Sequence, residues 1–165
     1  RIAAELPEAD LFFGHAKVPV DWDAVVARGR LKWIQSSAAG LDHCLNDESR
    51  PPLQRVRRFF ELTEEKYRSE GYLGCLLGGL GQELSGVSER FRRRVEQCFS
   101  EIAGRIAGCL KEAIRQGDLP KETDARKMAE LLVNCWEGAA LRTRLRQDPA
   151  PLREMLDFYF RSASA

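Results

Sequence analysis

The groups in this 165-residue chain best suited to chemistry sit around Cys75, in the run Gly74 to Glu83 (GCLLGGLGQE). A thiolate is the form of cysteine that attacks electrophiles and oxidants, and a nearby Arg or Lys is needed to populate it. Gly74, Gly78, Gly79 and Gly81 would give a reagent access to Cys75, but no basic neighbour stands close in sequence, so inert packing is the expectation. These glycines meet only part of the spacing that a dinucleotide-binding turn requires. Gly79 and Gly81 are correctly separated, yet Leu84 stands where a third glycine is needed and no strand precedes them. His15 and His43 are not set in a pattern that would make either a catalytic base. The five cysteines, Cys44, Cys75, Cys98, Cys109 and Cys135, form no CxxC pair, which argues against structural zinc and against a disulfide framework. No catalytic residue, metal ligand or cofactor is assigned, and the chain is not read as an enzyme.

The elements that would hold this run are helical. Pro51 and Pro52 suit a helix start, and Leu53, Val56, Phe59, Phe60 and Tyr67 recur at helical spacing until Gly71. The glycine-rich segment Cys75 to Leu84 belongs in a crowded interior, since each glycine costs a helix ~1 kcal/mol. Val87, Phe91, Val95, Phe99, Ile102, Ile106, Leu110 and Ile114 then trace one stripe along a long helix, which Gly117 to Pro120 end. Thr123 or Asp124 can cap the next helix, Ala125 to about Arg146, and Asp148 with Pro149 opens the last one. Arg90 and Arg92 to Arg94 read as a solvated face of the long helix.

The opening residues follow another pattern. Asp10 to His15 and Leu31 to Gln35 read as strands, with a helix from Trp22 to Arg28 between them capped by Asp21. The polar stretch Asn46 to Ser49 marks the change, so the expected domains are an α/β fragment, 1–46, and a helical domain, 49–165. The fold class is therefore mainly α, a multi-helix bundle preceded by a short βαβ-like segment. Residues 1–47 carry 5 Lys/Arg against 7 Asp/Glu and the rest 21 against 18, too balanced to imply nucleic acid by charge alone. No apolar run approaches the ~18 residues that cross a bilayer, and no signal peptide is recognisable, so a cytoplasmic protein without membrane contact is expected.

Two resemblances add to this. His15 to His43 resembles the start of the substrate-binding domain of D-isomer-specific 2-hydroxyacid dehydrogenases, which implies that backbone amides near Ala39 and Gly40 face a substrate carboxylate. That makes a fragment of such an oxidoreductase the alternative reading, beside a fusion or truncation product without activity. The runs "GCLLGGLGQELSGVSERFRRRVE", "AIRQGDLP" and "CWEGAALRTRLRQDPAPLREMLDFYF" together resemble the C-terminal regulatory domain of TetR/AcrR-type repressors, across residues 50–162. The nearest branch senses small reactive or acrylate-like molecules.

This second resemblance implies a TetR-type bundle that binds a small-molecule effector beside the glycine-rich helix and forms a homodimer through its last two helices, roughly 123–147 and 149–162. By side-chain type the pocket walls would be Phe59, Cys75, Leu76, Leu80, Phe99, Trp136 and Tyr159, with Gln82 and Glu83 orienting the ligand. The interface would draw on Leu132, Trp136, Ala139, Ala140, Met155 and Phe158. No basic helix pair with a tight turn is recognisable in residues 1–49, so DNA would be bound only if a missing helix-turn-helix is supplied.

Overall fold

A computed structural model of the chain describes residues 8–14, 21–28, 30, 33–36 and 42–163. Two compact units divide between Gly40 and Leu41. In the first, strand β1 (Leu11–Gly14) pairs in parallel with β2 (Trp33–Ser36), in the register Leu11 with Trp33 through Gly14 with Ser36. Helix α1 (Trp22–Ala27) lies between them in sequence, and the Asp21 carboxylate accepts a hydrogen bond from the Ala24 amide at 3.0 Å, a side-chain cap on its first turn. Arg30 reaches Glu8 at 3.2 Å and Asp10 at 3.7 Å, exposed ion pairs that contribute little. His15 and the Ser37–Gly40 loop, with Ala39 and Gly40, lie outside the described residues.

The second unit is helical throughout: α2 (Asp42–Leu45), α3 (Pro52–Ser69), α4 (Leu76–Leu84), α5 (Glu89–Gln116), α6 (Ala125–Arg146) and α7 (Ala150–Ala163). The short α2 differs from the expected boundary, because its Cys44 and Leu45 bury themselves with the bundle rather than with the strands. Each long helix starts and stops where local chemistry dictates. Pro52 sits in the first turn of α3, where a missing N–H costs nothing. Ser88 accepts from the Phe91 amide at 3.2 Å to cap α5. At its other end Gly117 adopts φ +86°, Asp118 N–H donates to Ala113 C=O at 2.9 Å and Gly117 N–H to Ile114 C=O at 3.2 Å, the paired bonds of a Schellman stop. Asp124 accepts from both the Arg126 and Lys127 amides at 3.1 Å, and Asp148 accepts from Ala150 at 3.0 Å.

The core runs between α3, α5, α6 and α7. Val56, Ile106, Leu110, Leu132 and Leu152 have no exposed surface, and the Trp136 ring packs at a tilt 4.6 Å from Phe60 and 6.0 Å from Tyr67. The stripe expected along α5 is its buried side from Val95 onward, whereas Val87 precedes the helix and is 79% exposed. Among the described residues no helix is long and apolar enough to cross a membrane.

One buried charge braces the end of the bundle near α2. Arg55, 4% exposed, forms an ion pair with Glu112 of α5 at 2.5 Å and donates to the Leu45 carbonyl at 3.4 Å, while the Cys109 thiol donates to the same carbonyl at 3.3 Å. Its Nε finds no acceptor among the described residues. The guanidinium thus ties α2, α3 and α5 together.

Candidate ligand site

A cleft of about 220 Å³ opens between α5 and α6. Glu96, Phe99, Ser100 and Ala103 line it from α5, and Glu130, Val133, Asn134 and Glu137 from α6. The 3.6-residue period explains the α6 wall: Glu130, Val133, Asn134 and Glu137 recur at steps of three and four, so they share a face. None of the eight lining residues is basic. Glu130 is already engaged by Arg126 at 2.6 Å, and Glu96 accepts from the Ser100 hydroxyl at 3.3 Å.

Glu137 is the member of this wall that reaches beyond it. Its Oε2 lies 2.1 Å from where a Cβ on Gly78 would stand, so a side chain at residue 78 would have to displace the end of the Glu137 carboxylate. Cys75, just ahead of α4, stands beside Glu137 and Tyr67. Burial pushes the Glu137 carboxyl above its ordinary pKa, with the neighbouring Cys75 thiol acting against it. Burial and the adjacent Glu137 together push the Cys75 thiol up to about 12, and burial raises Tyr67 as well. At neutral pH the thiol is protonated and a poor nucleophile. The titratable groups that face Glu137 are therefore Tyr67 of α3, Cys75 before α4, Glu96 of α5, and Glu130 of α6 with its partner Arg126.

The residues expected to form a pocket are dispersed by this geometry. Phe99 lines the cleft, and Cys75 reaches it through Glu137. Trp136 and Tyr159 are core residues, the latter donating from its hydroxyl to the Met128 carbonyl at 2.9 Å; Phe59 packs edge-on against Phe60 at 5.1 Å. Leu76 and Leu80 are half-buried on α4. Gln82 and Glu83 are both exposed, because α4 turns Leu77 inward and sets Gly81 against Val95 at 3.4 Å, which leaves its last turn facing solvent. Glu137 takes the polar place in the wall, and its signal was a lone carboxylate four residues past the buried Val133 on an inward stripe.

The interface residues are rearranged too. Leu132, Trp136, Ala139 and Ala140 fill the chain's own core, and Met155 packs against it; only Phe158, 69% exposed, faces out. The outward apolar residues on α6 are Leu131, Leu141 and Leu145, one face further round the helix.

Residues 52–159 match the family model described as tetracyclin repressor-like, C-terminal domain. The chain belongs to this family. Its TetR-type domain is similar to the transcriptional regulator AcuR of Cereibacter sphaeroides, 36% identical over 113 residues that cover 68% of this chain and 52% of AcuR. The chain thus spans about half the length of that relative. It is 25% identical over 158 residues to the HTH-type transcriptional repressor DhaR of Mycobacterium sp. (strain GP1), covering 96% of this chain and 76% of DhaR. A crystal structure of regulatory protein TetR from Rhodobacter sphaeroides superposes with a TM-score of 0.70 at 26% identity, over 96% of this chain and 93% of that one. The helical unit is a tetracyclin repressor-like C-terminal domain. The matches that run across nearly the whole chain, its opening segment included, are with such regulators, and they lend the dehydrogenase resemblance no support.

Proposed function

We propose that residues 41–165 are the effector-sensing and dimerising part of a cytoplasmic regulator, and that DNA is reached through a helix-turn-helix supplied with it. The observation that carries this is the outer face of α6 and α7. Leu131, Leu141, Leu145 and Phe158 are 44–69% exposed, and Gly138 between them has open space where a side chain would be, room for a second helix to come close. Exposed apolar residues on both helices are what a twofold interface of two identical helix pairs requires. The cleft then provides the sensing: an effector that fits one arrangement of the dimer better than another shifts the population by its differential affinity. At about 220 Å³ the cleft falls below the ~300–1,000 Å³ of drug-sized pockets, so the effector is small.

Light scattering coupled to size-exclusion chromatography of the whole chain tests the dimer. A mass of two chains, falling to one in Leu145→Glu with the melting temperature unchanged, is the expected result. A single-chain mass for the unmodified protein at tens of micromolar would overturn the proposal.

A further inference from the structure

We infer that two copies of the chain meet with their α7 helices antiparallel across Phe158, so that Glu154 of each faces the partner's Arg161. This rests on the reading of the outer face as a dimer interface, and it assigns the residues that decide how the two copies are set against each other.

Helix α7 carries four charges, Arg153, Glu154, Asp157 and Arg161. Arg153 reaches Glu64 of α3 at 3.1 Å, and Asp157 accepts a hydrogen bond from Arg57 of the same helix. Both of these lie on the side that packs on α3, and both are matched inside the chain. Glu154 and Arg161 are exposed, and neither has an ion-pair partner among the described residues. At ~100° per residue, Glu154, Phe158 and Arg161 fall within a sector of about 60°, opposite the buried Leu152 and Leu156. The Phe158 ring, 69% exposed, therefore sits between one unmatched anion and one unmatched cation.

A twofold axis relates identical faces, and two identical helices can meet across it in two limiting ways. Side by side and parallel, Glu154 would oppose its own copy and Arg161 its own, like charges at the edge of an apolar contact. Antiparallel about Phe158, the residue four before the ring meets the residue three after it in the partner, so a carboxylate faces a guanidinium, and the pairing occurs twice. Exposed ion pairs contribute little to the stability of one chain. Between two chains the same charges select the arrangement, because the wrong one brings like charges together. Leu131 and Leu145 of α6 supply apolar area, and Glu154 with Arg161 supplies the register.

Charge reversal tests this on the whole chain. Glu154→Arg and Arg161→Glu, each confirmed folded by circular dichroism, are expected to raise the dimer dissociation constant about tenfold in analytical ultracentrifugation. Mixed in equal amounts, the two variants are expected to form dimers holding one of each, as native mass spectrometry would read. The double variant Glu154→Arg with Arg161→Glu is expected to restore the parent's constant. A dimer indifferent to both single reversals, or a mixture that pairs at random, would overturn the antiparallel crossing and leave dimerisation standing. Tighter dimerisation of Glu154→Gln than of the parent would mean that like charges meet at the axis, and would overturn the crossing in favour of the parallel one. A parent chain that is monomeric at tens of micromolar would overturn the dimer itself, and the crossing with it.

Discussion

Two charged groups that the bundle shields from water, Arg55 and Glu137, are handled in opposite ways. Arg55 has a carboxylate at 2.5 Å and a backbone carbonyl within reach, with three helices converging on it. Glu137 has a thiol, an aromatic neighbourhood and an open cleft. The first arrangement suits a brace, since the charge is matched inside the fold. The second leaves the carboxyl dependent on a proton.

Breaking the matched charge should have the largest effect. Arg55→Ala leaves Glu112 unpaired and the Leu45 carbonyl without its donor, and is expected to cost about 3–5 kcal/mol in urea unfolding. Arg55→Met, which keeps the packing volume but removes the charge, should still cost less than Arg55→Ala when Glu112 is changed to Gln with it; equal losses would argue against an ion-pair brace.

The outer face of α6 comes next. Leu131→Glu should shift the dimer to monomers while changing the stability of the single chain by no more than ~0.5 kcal/mol, because Leu131 is 56% exposed. Trp136→Glu at the inner face should instead unfold the bundle, since Trp136 is 4% exposed against Phe60 and Tyr67. Light scattering and circular dichroism distinguish the two.

The unmatched carboxyl should show itself through pH. The folded pKa of Glu137 is raised, so the folded state holds its proton more tightly than the unfolded chain does. Its contribution to stability is present in full below the ordinary carboxylate pKa and is lost as pH rises through the raised one. Glu137→Gln should therefore gain in melting temperature relative to the parent as pH rises from 4.5 toward 8. A constant difference across that range would remove the distinction from Arg55. The smallest effect is kinetic: with its thiol pushed up to about 12, Cys75 should react with iodoacetamide at pH 7.5 at least tenfold more slowly than the exposed Cys135, as peptide mass spectrometry would read.

Much of the bundle was legible in the chain because its helices advertise their ends. Gly117 before Asp118, and Asp124 and Asp148 ahead of apolar stripes, are local signals that tertiary packing did not override. The short α2 was not legible: four residues carry no periodicity, and Leu45 is held by partners 10 and 64 residues away. The site was legible only in part for the same reason. Cys75 and Phe99 stand out by type, but the meeting of Glu137 with Cys75 joins residues far apart in sequence across a helix crossing, and which side of α6 faces its own core and which faces out depends on α3 and α7 packing on it. A stripe rich in leucine and alanine reads alike for core and interface, and so Leu132 and Leu131 were not told apart.

The most direct measurement is the titration of the Glu137 carboxyl by carbon-detected NMR in the whole chain. A midpoint above the ordinary carboxylate range is the expected result. A midpoint at the ordinary value would contradict the claim that this carboxyl, unlike the Arg55–Glu112 pair, has no matching charge inside the bundle.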